Sequence, residues 1–245
     1  MIRSEPFDAT LVSARMLTPG VRELVLERVG APLAFDAGQW VNLLLPLEGG
    51  EAKRAYSIAS APTDPPSPRF ELAVTRVAGG AGSDYLHALP VGSTLRAIGP
   101  QGLFTRAADD PAPALFVATG TGVTPLRAML HAASRAPLRA PLTLLFGARV
   151  EADVLYRDEL EALAARDPSF RYEITLSRGD DAWRGRRGWV QAHVPEVLAA
   201  VRAESAGAPV HVYVCGLERM VDAVRALART ELAVERKQVH TERYD

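Results

Sequence analysis

The sequence predicts two domains in tandem: an antiparallel β-barrel, then an α/β domain built on a doubly wound parallel sheet. Three observations carry that expectation. The first hundred residues read as short strands separated by turn residues. A polar, proline-rich stretch, Ala107-Ala108-Asp109-Asp110-Pro111-Ala112-Pro113, then marks a boundary between residues 1–107 and 108–245. Beyond it, apolar strands alternate with amphipathic helices, the pattern of a parallel sheet covered on both faces. A length of 245 residues accommodates two ordinary domains.

In the first half, residues 21–27 show mixed alternation. Residues 39–45 are a buried-strand candidate that should stop before Pro46, which lacks an amide for the ladder. On a strand through Arg54-Ala55-Tyr56-Ser57, the side chains of Arg54, Tyr56 and Ile58 share one face. Residues 70–77 alternate cleanly, and residues 94–98 end at Gly99-Pro100. One short helix is expected over residues 83–89, with Ser83 as its cap.

In the second half, residues 114–119 form a continuous apolar strand. The helix after it carries Leu126, Met129, Leu130 and Ala133 at spacings of three and four. Residues 142–146 are the next strand. Asp153 can cap a helix bearing Tyr156, Leu160 and Leu163 on one stripe. A strand over 171–177, a helix through Val194, Val197, Leu198 and Val201, and a strand over 210–215 follow. Met220, Val221, Val224, Leu227 and Ala228 line a last helix.

Composition narrows the classes. Apolar residues make up 48% and charged residues 23%, the balance of a soluble globular chain. The net charge of −1 provides no global field toward nucleic acid or an anionic membrane, so neither is expected as a partner. Cys215 is the single cysteine, which excludes an internal disulfide and any four-cysteine iron–sulfur cluster within the chain. No metal-ligand pattern stands out. No run is long and apolar enough for a membrane span, and the start at Met1 lacks the apolar core of a signal peptide. A cytoplasmic monomer is the expectation.

Gly120-Thr121-Gly122-Val123-Thr124-Pro125 lies between a buried strand and a helix. Glycines permit a tight turn and close ligand approach. Thr124 reads as the N-cap and Pro125 as the first helical residue. The free amides and positive dipole end of such a helix suit a pyrophosphate. Pro125 stands where the dinucleotide fingerprint has its third glycine, so an ordinary strand-to-helix turn is the competing reading of this segment alone. Cys215-Gly216 closes another strand at the same sheet edge, where ligands of open α/β sheets bind. Taken by itself, Cys215 reads as a small buried hydrophobe.

Four further motifs occur in order around this turn. They are Arg-x-Tyr-Ser at Arg54, Tyr56 and Ser57; Gly-Gly-x-x-Ser at Gly79, Gly80 and Ser83; Gly-Pro-x-Gly-x-Phe at Gly99, Pro100, Gly102 and Phe104; and Cys-Gly-x-x-x-Met at Cys215, Gly216 and Met220. In this order and over nearly the whole chain, the sequence resembles the ferredoxin–NADP reductase superfamily. The resemblance implies a flavin on the barrel and a nicotinamide dinucleotide on the second domain. Arg54 would pair with a flavin phosphate, Tyr56 would stack on the ring, and Ser57, next to Ala55 and Tyr56, would lie near flavin N5. Thr75, Arg76 and Val77 would run along the ribityl and adenine portions. Gly80, Ala81, Gly82 and Ser83 would offer amides to a diphosphate, which favours FAD over FMN, and Thr124 would also approach the FAD. Gly120, Thr121, Gly122, Cys215, Gly216 and Met220 would hold the dinucleotide. Gly99 to Phe104 reads as a structural turn closing the barrel.

Coenzyme choice turns on cations. Arg149, Ser177, Arg178 and Arg186 resemble positions that grip the 2′-phosphate in bacterial reductases, with Arg184 and Arg187 close by. Arg149 is also Arg in relatives that use NADH, so Ser177 and Arg178 carry the preference for NADP(H). The tail, Glu242-Arg243-Tyr244-Asp245, resembles reductases whose terminal aromatic stacks on the flavin, although Asp245 is an extra residue. A disordered terminus is the alternative. Leu217 stands where many relatives have proline. By resemblance the catalytic set is Ser57, Cys215, Glu242 and Tyr244. The implied activity passes electrons between NADP(H) and a separate one-electron carrier, ferredoxin or flavodoxin-like, because the chain cannot build its own cluster. Two other readings stay open: the reductase component of an oxygenase, and a flavin-binding regulatory protein without turnover.

Overall fold

The computed structural model describes residues 5–137 and 140–244. The start at Met1 and the terminal Asp245 lie outside the described residues. The first half forms β1 (Phe7–Thr18), β2 (Val21–Arg28), β3 (Trp40–Leu47), β4 (Gly50–Ser57), β5 (Arg69–Thr75), α1 (Ala81–Ala88) and β6 (Thr94–Gln101). The strands pair antiparallel in the order β4-β3-β6-β1-β2-β5. An antiparallel bridge between Ile58 and Leu72 joins the two edges and closes the barrel. Leu11, Leu24, Leu26, Leu43, Leu45, Ile58, Phe70 and Leu72 fill its interior, and Leu86 of α1 joins them.

Two elements differ from expectation. β1 was not anticipated, because its alternation of Phe7, Ala9 and Leu11 is interrupted by a register shift between Leu11 and Ser13. β3 continues through Pro46 instead of stopping before it. β6 pairs with β3 only as far as Leu44, so Pro46 has a neighbour on one side alone and its missing amide is tolerated.

The second half forms β7 (Ala114–Thr119), a short 3₁₀ turn (Gly120–Gly122), α2 (Val123–Arg135), β8 (Leu142–Ala148), α3 (Arg157–Arg166), β9 (Phe170–Leu176), β10 (Arg186–Arg187), α4 (Val194–Glu204), β11 (His211–Leu217), α5 (Glu218–Thr230) and β12 (Val239–Tyr244). The sheet is parallel throughout, ordered β10-β9-β8-β7-β11-β12. Alternation along β7 divides the core. Phe116 and Ala118 pack with Leu126, Met129 and Leu160 on one face, while Leu115 and Val117 pack with Val194, Val197 and Val221 on the other. The first apolar cluster continues into the barrel through Ala59, Ala73 and Phe104.

The proline-rich connection is pinned by Arg106, whose buried guanidinium binds the Asp110 carboxylate and the carbonyls of Asp110 and Ala112. Asp153 does not cap α3. It ends a 3₁₀ turn and pairs with Arg149, while Tyr156 occupies the cap position at φ 55°. The tail is not a loose terminus: it pairs parallel with β11, Cys215 opposite Glu242 and Leu217 opposite Tyr244.

Candidate active site

Strands β7 and β11 lie side by side, with chain order running outward from them in opposite directions. Their carboxyl ends therefore form the crevice where open α/β sheets take ligands. Gly120 turns the chain at φ 54°. A Cβ on Gly122 would lie 2.2 Å from the Cys215 carbonyl oxygen, so only glycine lets α2 start against the end of β11. α2 begins at Val123 with no side-chain cap. Thr124 is not the N-cap: its hydroxyl donates to the Thr121 carbonyl at 2.8 Å. The Val123 amide turns back to the carbonyls of Gly120 and Thr121, and no side chain caps the rest of the helix start, where an anion is favoured.

Two clefts meet above this edge. One, about 770 Å³, lies between the barrel and the second sheet. Arg54, Ala55, Tyr56 and Ser57 of β4 line it with Thr75, Val77, Gly80, Gly82, Ser83 and Thr124. The other, about 730 Å³, runs over the parallel sheet and is lined by Arg76, Gly120, Thr121, Arg149, Ser177, Gly216 and Met220. Thr75, Thr121, Leu217 and Tyr244 border both.

At the junction three polar groups from distant segments converge. The Tyr244 hydroxyl donates to Ser57 Oγ at 2.5 Å, and Ser57 Oγ donates to Glu242 Oε2 at 3.1 Å. Thr124 Oγ1 lies 3.4 Å from the Tyr244 oxygen. Strand alternation puts Glu242 and Tyr244 on one face of β12 and turns Arg243 outward to Glu218 and Asp222 of α5. Burial pushes the Glu242 carboxyl up to about 7, against the lowering hydrogen bond from Ser57. Burial also raises the Tyr244 phenol and the Cys215 thiol, so both stay protonated at neutral pH. Tyr56 is raised to about 12 by burial.

The donor set fits a flavin diphosphate. α1 starts after Gly80 without a side-chain cap, and its Gly82 is so close to Arg54 that a Cβ there would lie 3.2 Å from the guanidinium Nε. Open amides and a guanidinium therefore face one place. Ser83 sits inside the first turn and is not the cap. Its hydroxyl donates to the Gly80 carbonyl at 2.9 Å and accepts the Val77 amide at 3.0 Å, tying down the loop before the helix. Thr119 Oγ1 and Gln191 Oε1, on residues that line the second cleft, are buried without partners among the described residues.

Not every expected residue reaches a cleft. Cys215 is fully buried beneath the glycine turn, and Gly122 rests on its carbonyl. Ala81 borders neither cleft. Arg186 also borders neither; its guanidinium is taken by Glu173 and Glu196. Arg178 is exposed, and its amide donates to the Arg149 carbonyl at 2.8 Å. The sequence reading missed Trp189, 70% exposed on the wall of the second cleft, and Gln191. Only an aromatic after a glycine signalled the former, and no pattern signalled the latter.

A barrel with a phosphate cradle, joined at a polar knot to a sheet with a second cradle, defines a two-cofactor electron-transfer flavoprotein. Residues 8–105 match the oxidoreductase FAD-binding domain and residues 116–226 the oxidoreductase NAD-binding domain. The chain belongs to the ferredoxin–NADP reductase superfamily. It is 64% identical over 246 residues to ferredoxin--NADP reductase B of Sorangium cellulosum (strain So ce56), covering all of both chains. It is 30% identical to the phenol hydroxylase P5 protein of Acinetobacter pittii (strain PHEA-2), covering 98% of this chain and 66% of that one. Among solved structures, the Amycolatopsis cytochrome P450 reductase GcoB superposes with a TM-score of 0.82 at 30% identity, covering 98% of this chain and 69% of that one.

Proposed function

We propose that this chain passes electrons between NADP(H) and a separate one-electron carrier protein, ferredoxin or flavodoxin-like, as a stand-alone reductase. The observation that carries it is the knot of Ser57, Glu242 and Tyr244, which ties the flavin strand to the edge of the dinucleotide sheet where the two clefts meet. FAD, when bound, would supply the chemistry: it accepts two electrons as one hydride and releases them singly. The chain's residues do the rest. Arg54 and the open amides of α1 hold the diphosphate. Tyr56, on the wall of the first cleft, would pack on the ring. The Ser57 hydroxyl, which donates to Glu242 in this structure, would lie at the ring edge, and Glu242, poised near neutrality, could give or take a proton through it. Tyr244 fills the junction and must yield for nicotinamide to approach.

The preference for NADP(H) rests on Ser177 at the second cleft and on Arg178 next to it in sequence, because Arg149 is already paired with Asp153. The 64% identity to a ferredoxin--NADP reductase, against 30% to the phenol hydroxylase relative, favours this role over an oxygenase component. A division of the chain near residues 107 and 108 into flavin and dinucleotide domains accompanies this reading. Anaerobic stopped-flow reduction with NADPH and NADH in parallel tests it. NADPH is expected to bleach the flavin with the higher efficiency. Equal efficiency with NADH removes the coenzyme assignment, and a chain that cannot be reconstituted with FAD or FMN removes the whole reading.

A further inference from the structure

We propose that Arg127 is a positioning residue for hydride transfer, locking the end of the flavin strand to the helix that carries the glycine turn. The inference rests on the functional reading above. Arg127 lies on α2 one turn beyond Thr124 and is buried. Its guanidinium works on both sides of the gap between the domains. Nε and Nη2 donate in a fork to the two carboxylate oxygens of Glu159 on α3, at 2.6 and 2.9 Å. Nη1 reaches the barrel, donating to Glu71 at 2.5 Å and to the Ala59 carbonyl at 2.8 Å.

Each side of this contact is itself fixed. His131 holds Glu159 at 2.5 Å. Burial raises the Glu159 carboxyl, but the bonds from His131 and Arg127 outweigh it and bring it to about 2, so it stays ionised. The Tyr156 ring lies 4.3 Å from the guanidinium carbon, held there by a left-handed backbone that an aromatic residue adopts only at a cost. On the barrel side, the Ala59 amide donates to the Glu71 carbonyl at 2.8 Å, so both acceptors belong to one paired patch.

Ala59 follows Ser57 by two residues, and Arg127 follows the glycine turn by five. The latch therefore sets the separation of the two cradles through short, rigid segments. Hydride transfer is sensitive to such spacing, since a displacement near 1 Å costs about a hundredfold in rate. Lysine cannot replace the latch, because an ammonium lacks the fork that holds two carboxylates and a carbonyl at once. Without the cation, Glu71 and Glu159 face each other across the domain gap as like charges.

The full chain, loaded with FAD, is compared with R127K, R127M and E71Q. Flavin reduction by saturating NADPH is followed anaerobically. In parallel, electron spin distances are measured between labels on Glu48→Cys and Arg229→Cys, both exposed sites; the buried Cys215 does not compete. The expected result is full flavin content, a reduction rate lowered at least about tenfold in each variant, and a broadened distance distribution. Unchanged rates, or a distribution as narrow as in the unsubstituted chain, overturn the proposal. Recovery of both readouts in R127K overturns the role of the fork. If R127M fails to fold, R127K and E71Q decide. Should NADPH fail to reduce the unsubstituted chain, the functional reading falls, and the distance measurement alone then decides the latch.

Discussion

Glu242 is the residue whose ionisation the fold changes most usefully. Its carboxyl has an ordinary value of 4.5, and burial lifts it to about 7. Between those values the folded chain binds more protons than the unfolded one. Stability therefore falls as pH rises through that window and stays at the lower level above it. Glutamine keeps the acceptor for Ser57 but cannot ionise. The melting temperature of E242Q relative to the unsubstituted chain should rise between pH 5 and pH 8; parallel pH profiles by calorimetry would dismiss the shift. Ser57, Glu242 and Tyr244 were each legible as candidates by resemblance. Their hydrogen bonds were not, since the partners lie 185 and 187 positions apart.

At the scale of elements, most strands and helices were readable because apolar period and turn chemistry are local properties. Helix starts were less so. Ser83, Thr124 and Asp153 were all expected to cap, yet Ser83 and Thr124 bond back to a carbonyl three residues earlier and Asp153 pairs with Arg149. A small polar residue near a helix start can serve either end of that choice, and only the path of the preceding loop decides. β12 escaped because all its residues except the exposed Arg243 are half-buried, which leaves no clean alternation. The glycine turn yields a sharp contrast. G122A must push a methyl into the backbone of β11 and should cost about 1–3 kcal/mol with loss of dinucleotide affinity. G120A meets open space and pays only for its left-handed backbone, about 1 kcal/mol. Equal losses in thermal unfolding would mean that the close approach to Cys215 is not what selects glycine.

At the scale of the molecule, the two domains meet through a shared apolar cluster, the Arg127 latch and the Ser57 knot. Coenzyme choice belongs to this scale, because the cations come from the ends of separate strands. Arg149 follows β8 and is already paired with Asp153, whereas Arg178 follows β9 and forms no ion pair among the described residues. R178A should lower kcat/KM for NADPH about tenfold while sparing NADH, the loss of one charge-assisted contact to a phosphate. An unchanged NADPH-to-NADH ratio would remove Arg178 from the coenzyme preference. No helix among the described residues is long and apolar enough to cross a membrane.

By itself the sequence determined the barrel, the parallel sheet, both glycine-rich turns and the family, because each is written in short segments whose period, turns and motifs act locally. The tertiary structure decided which of the arginines are free and which are spent, with Arg186 tied to Glu173 and Glu196. It also decided that Cys215 supports the turn from beneath, and that the tail returns as a strand to meet Ser57. These outcomes depend on closure between segments far apart in the chain or on competition among carboxylates for one guanidinium. Neither leaves a local pattern in the chain.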